Sequence, residues 1–100
     1  MKIVCIEDDS SIRELELYTL RMTGFDAQGY EDGGSFFASL QKESHLPDLV
    51  LLDLMLPDMD GLEILKRLRT HSRTEHLPVI LATARGTEYD KVKGLDSGAD

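Results

Sequence analysis

The chain has 100 residues, 41% hydrophobic and 30% charged, with 3 Pro and 8 Gly; this balance suits one globular core and excludes both a disordered segment and two independent domains. A formal charge of −8 opposes a nucleic-acid surface, because the phosphate backbone needs a positive field, and is better matched to a cation. Cys5 is the single cysteine, which removes disulfide frameworks and cysteine metal sites, and the apolar run Ile3–Ile6 is too short for a signal peptide or a membrane span; a soluble, cytoplasmic protein without membrane contact is expected.

Ile3 to Ile6 is a continuous apolar run of the kind found in a strand covered on both faces, and it ends in Glu7-Asp8-Asp9. Ser11 with Glu14 three residues on forms a capping-box signature. Ile12, Leu15, Thr19 and Met22 then recur at helical spacing until Thr23-Gly24 closes the helix. A weaker strand, about Asp26 to Tyr30, leads through Glu31-Asp32-Gly33-Gly34 into a helix carrying Phe36, Phe37 and Leu40, which Pro47-Asp48 terminates. Leu49-Val50-Leu51-Leu52 is wholly apolar and stops at Asp53; a turn over Pro57–Gly61 precedes a helix with Leu62, Leu65 and Leu68. That helix ends in the basic cluster Lys66-Arg67-Arg69, where cations complement the macrodipole. Pro78 to Ala82 is a fourth strand ending at Thr83, and about Thr87 to Ser97, with Val92 and Leu95 inward, a fourth helix.

Strands alternating with helices imply parallel βαβ units with right-handed crossovers, hence an open α/β sheet with helices on both faces. In such sheets functional groups gather outside the carboxyl ends of the strands, which here carry Glu7-Asp8, Asp53 and Thr83. Carboxylates from two strands converging at one edge repel one another unless a cation lies between them. Mg2+ suits such a site, being a hard ion that accepts a few carboxylate and carbonyl oxygens and keeps several waters. An Asp beside that ion can attack phosphorus to give an aspartyl-phosphate. Asp53 is the best-placed nucleophile, and the Thr83 hydroxyl could donate to a phosphoryl oxygen. His45, His71 and His76 share no metal-ligand spacing.

Four segments, Ile6-Glu7-Asp8-Asp9, Leu51 through Asp53 to Gly61, Thr83-Ala84-Arg85-Gly86 and Gly94 to Asp100, resemble response-regulator receiver domains of two-component systems, in order and in register. The resemblance implies a flavodoxin-like doubly wound parallel sheet of strand order 2-1-3-4(-5). It implies Asp53 as phospho-acceptor, Asp8 and Asp53 as direct Mg2+ ligands, the backbone carbonyl of Met55 as a third, Glu7 acting through water, and Thr83 as the switch hydroxyl. It also implies a histidine kinase as phosphodonor and slow self-dephosphorylation at most, so a signalling domain and no conventional enzyme. The Ala-Arg-Gly form of the third segment resembles the subfamily whose receiver precedes a winged-helix DNA-binding domain, which would make transcription the output, with no nucleic-acid contact by residues 1–100 themselves.

Family members continue into a fifth strand ending in Lys-Pro and a fifth helix, and this sequence contains neither. Residues 1–100 are therefore expected to be a receiver domain incomplete at its C-terminus, truncated after the fourth βα unit. Val79-Ile80-Leu81 would then form an open edge, and the chain alone would be unstable, domain-swapped or dimeric. Two alternatives are a degenerate receiver acting only as a protein-interaction module and an aspartyl-nucleophile phosphohydrolase. The latter would place a second acid two residues after the nucleophile, where Met55 stands.

Overall fold

The computed structural model describes residues 1–43, 45–53, 56 and 60–82. Along the chain these form β1 (Lys2–Ile6), α1 (Ser10–Met22), β2 (Asp26–Tyr30), α2 (Gly33–Lys42), β3 (Leu49–Asp53), α3 (Gly61–Thr70) and β4 (Val79–Ala82). The four strands make one sheet in the order β2-β1-β3-β4 with every neighbouring pair parallel. This is the flavodoxin-like order expected from the sequence. The expected helix at about Thr87–Ser97 lies outside the described residues.

The pleat explains why the central strands β1 and β3 carry the continuous apolar runs Ile3–Ile6 and Leu49–Leu52. Val4, Ile6, Val50 and Leu52 pack with Phe36, Leu40, Ile64, Leu65 and Leu68 of α2 and α3 on one face. On the other face Cys5, Ala27 and Leu51 pack with Leu17 and Leu20 of α1. Alternate residues of β1 and β3 thus serve opposite cores, while Ile80 of β4 remains exposed. Each large side chain buried in this way contributes about 1.5–3 kcal/mol through removal of apolar surface from water.

Each of the three described helices starts on an aspartate. Asp9 accepts from the backbone N–H of Ser11 (2.9 Å) and Ile12 (3.1 Å), Asp32 from Ser35 (2.7 Å), and Asp60 from Leu62 (2.9 Å). The expected capping box of Ser11 and Glu14 is therefore displaced: the helix begins at Ser10 and Asp9 is its N-cap. The carboxylate of Asp9 already satisfies the first free amides, so the Ser11 hydroxyl has no capping role. At the other end of α1 the Phe25 N–H bonds to the Leu20 carbonyl and the Gly24 N–H to the Arg21 carbonyl. Gly24 closes this Schellman turn at φ 104°, a left-handed conformation that a side chain disfavours.

The periodic set on α1 also faces differently from its simplest reading. Ile12, Leu15 and Met22 are exposed, while Leu17 is buried and Leu20 half-buried against the sheet. Two apolar arcs compete on this helix, and the one containing Leu17 meets β1 and β2.

Candidate functional site

Parallel strands bring their carboxyl ends to one edge, and here β1 and β3 are direct neighbours, with Ile6 level with Leu52. Glu7 and Asp8 follow β1 and Asp53 is the last residue of β3. One carboxylate oxygen from each of Glu7, Asp8 and Asp53 lies within 4.8 Å of the others. All three acids singled out at the strand ends thus meet in space. Thr83 and Met55, the other two candidates, lie outside the described residues.

The three acids sit in different surroundings. Asp8 is exposed and Asp53 half-buried, whereas Glu7 retains only 9% of its accessible surface. Burial pushes the Glu7 carboxyl up to about 7. The Asp9 backbone N–H, 3.2 Å from Oε2, works against that rise, while the side chains of Asp53 and Asp8 add to it. Protonated Glu7 donates to its acidic neighbours; ionised Glu7 adds a third charge to them. A divalent cation reverses that preference by supplying the missing positive charge. The donor set is hard, oxygen-only and open on the Asp8 side, and so fits Mg2+, which keeps several waters, better than a soft metal or one enclosed by protein ligands alone.

Glu16, nearly two turns into α1, is also half-buried, and its carboxyl is raised by burial and by the charge of Asp53. The reading of the sequence gave no part to Glu16 or to Arg13, whose guanidinium Nη1 donates to the Glu7 carbonyl at 2.7 Å. One available signal was Gly29, since an isolated glycine inside a strand marks a close approach by another group.

A doubly wound parallel sheet with a tight carboxylate triad at its strand ends belongs to the class of α/β proteins whose functional groups gather outside the carboxyl edge of the sheet. The sequence places it within that class: residues 3–100 match the model of the response regulator receiver domain, and the chain belongs to that family. It is the receiver domain of a two-component response regulator.

The chain is 41% identical over 99 residues to the phosphate regulon transcriptional regulatory protein PhoB of Rhizobium meliloti, covering 99% of this chain and 43% of that protein. It therefore spans less than half the length of that relative. Among solved structures, a response regulator from Chloroflexus aurantiacus superposes with a TM-score of 0.91 at 30% identity, covering 99% of this chain and 80% of that one. The phosphorylated cyanobacterial phytochrome response regulator RcpA superposes with a TM-score of 0.87 at 27% identity, over 99% and 76% of the two chains. Receiver domains receive signals from histidine kinases and use Mg2+ at an acidic pocket; they are signalling domains and not conventional enzymes. No helix among the described residues is long and apolar enough to cross a membrane.

Proposed function

We propose that Asp53 accepts a phosphoryl group from a histidine kinase, in a reaction dependent on Mg2+ held by Asp8, Asp53 and, through water, Glu7. The observation that carries this reading is the approach of three carboxylates to within 4.8 Å at the ends of two adjacent strands. Like charges at that spacing are unfavourable without a counter-ion. The phosphorylated state of the structurally similar RcpA supports it.

In this reading an Asp53 carboxylate oxygen attacks phosphorus in line with the scissile P–N bond of a phosphohistidine. A P–O bond forms, the P–N bond breaks, and its electron pair returns to the ring nitrogen, which departs as neutral imidazole because the other ring nitrogen carries a proton. The Mg2+ ion, when bound, neutralises charge on the transferring oxygens. Glu7 and Asp8 hold that ion against the nucleophile, and the sheet keeps Asp53 at a fixed distance from both. The Met55 carbonyl as a further ligand and the Thr83 hydroxyl as the phosphoryl-sensing donor belong to the same proposal, on the strength of the sequence motifs that contain them. Residues 1–100 act as one receiver domain whose cytoplasmic output is transcription through a DNA-binding effector domain, consistent with the transcriptional role of PhoB.

The test is phosphorylation by a small phosphodonor such as phosphoramidate. Wild-type protein should incorporate phosphate only with Mg2+, and Asp53→Asn should incorporate none. Undiminished incorporation in Asp53→Asn would remove Asp53 from this role.

A further inference from the structure

The backbone of Glu7 is held at both its N–H and its carbonyl. Its N–H donates to the Tyr30 carbonyl of β2 at 2.9 Å, and its carbonyl accepts from Arg13 Nη1 at 2.7 Å. Arg13 belongs to α1, six residues beyond the group it grips, and is half-buried. Its side chain gets there by crossing β2 at Gly29. A Cβ at Gly29 would stand 2.9 Å from Arg13 Cδ, 3.0 Å from Arg13 Cγ and 2.9 Å from Leu17 Cδ1. Such distances are too short for carbon atoms, so the bare backbone of Gly29 is the channel through which the arginine stem runs.

The carbonyl that Arg13 holds belongs to the peptide joining Glu7 to Asp8. Rotation of that peptide would swing both carboxylates relative to Asp53. The other restraints on the loop converge on Asp9: its N–H donates to Glu7 Oε2 at 3.2 Å, its carboxylate caps the Ser11 and Ile12 N–H groups, and its carbonyl accepts from the Arg13 N–H at 2.9 Å as the helix starts. Arg13 therefore ties the loop to α1 through both its backbone and its side chain. A guanidinium on a carbonyl is a charge-assisted bond, stronger than an ordinary one.

We infer that Arg13, laid across Gly29, is a positioning residue for the acidic site: it orients the Glu7–Asp8 peptide so that the two carboxylates meet Asp53 ready to hold a cation. For its functional consequence this rests on the reading of the triad as a Mg2+-dependent phospho-acceptor site. Outer groups that orient ligands typically change metal affinity by about 10–100-fold when removed. Because the carboxylates themselves remain, saturating Mg2+ should restore the reaction.

The experiment compares wild-type protein with Arg13→Met, Arg13→Lys and Gly29→Ala. Methionine keeps an unbranched stem over Gly29 and removes only the guanidinium, so folding should be preserved. The half-saturating Mg2+ concentration for phosphorylation by phosphoramidate should rise about tenfold in Arg13→Met, with the maximal rate and the urea midpoint close to wild type. Arg13→Lys, which retains a cationic donor, should recover part of the loss. Gly29→Ala should reproduce the Mg2+ shift in the wild-type background and add little in Arg13→Met. An unchanged half-saturating concentration in Arg13→Met would overturn the inference, while Asp8→Asn, weakening Mg2+ in the same assay, would show the metal site itself to be real. Should wild-type protein show no Mg2+ dependence, the phospho-acceptor reading fails and amide exchange of metal-free protein decides the positioning role. Faster exchange at Glu7 and Asp9 in Arg13→Met upholds it, and unchanged exchange overturns it.

Discussion

Replacing Glu7 with glutamine should stabilise the metal-free protein at alkaline pH, although it removes a residue of the acidic site. The folded-state carboxyl is raised from 4.5 to about 7, chiefly by burial. Below pH 4.5 it is protonated in both folded and unfolded chains and makes no difference between them. Between pH 4.5 and about 7 the unfolded chain releases the proton while the folded one retains it, so stability falls as pH rises, and above about 7 the loss is complete. A shift of this size corresponds to about 3 kcal/mol. Glutamine reproduces the protonated form, including a donor toward Asp53 and Asp8, and carries no charge to desolvate. With an m-value of about 1.5 kcal/mol per molar urea, Glu7→Gln should raise the unfolding midpoint at pH 8 by roughly 2 M, and by almost nothing at pH 4. The assay is urea unfolding followed by circular dichroism from pH 4 to 8.5 in chelator. Saturating Mg2+ should narrow the gap at pH 8, because the ion offsets the charge that destabilises the wild type. Parallel pH profiles for the two proteins, with equal midpoints at pH 8, would refute the reasoning.

Leu52 is fully buried beneath α2 and α3, so Leu52→Ala should cost about 2–5 kcal/mol in the same unfolding assay. Asp32→Ala removes the cap from the Ser35 N–H and should cost about 1 kcal/mol without altering Mg2+ affinity, which a parallel titration checks. Cys5 is buried, and that burial, reinforced by Glu16, pushes its thiol up to about 12. It should therefore resist alkylation by iodoacetamide at pH 8 until the protein unfolds, as read by intact mass.

The strands were legible because parallel strands buried on both faces need continuous apolar runs, and Ile3–Ile6 and Leu49–Leu52 are such runs with no other use. Their order, and hence the meeting of Glu7, Asp8 and Asp53, followed from alternation of strands and helices together with the resemblance to receiver domains. Less could be read from α1. Ile12, Leu15 and Met22 share helical spacing as convincingly as the arc containing Leu17, and only contact with β1 and β2 shows that the latter is inward. Asp9 displaced Ser11 as the cap because Asp9, Ser10 and Ser11 in succession all carry capping oxygens, and the choice depends on where β1 releases the chain. Arg13 was hidden for a different reason. A charged residue at an inward position makes sense only once its stem is seen to cross Gly29 and its guanidinium to reach the Glu7 carbonyl. The Gly29 contact joins α1 to a strand distant in sequence, and the Glu7 contact, six residues apart, spans the loop after β1 and not a helical turn, so no periodic pattern records either.

The most direct measurement is the location of the phosphoryl group itself. After reaction with phosphoramidate in Mg2+, borohydride reduction converts an aspartyl-phosphate to homoserine, which peptide mass spectrometry places on the chain. Homoserine at Asp53, absent when Mg2+ is chelated, is the result this account predicts; homoserine at Asp8 or elsewhere, or phosphate incorporated with no modification at Asp53, would contradict it.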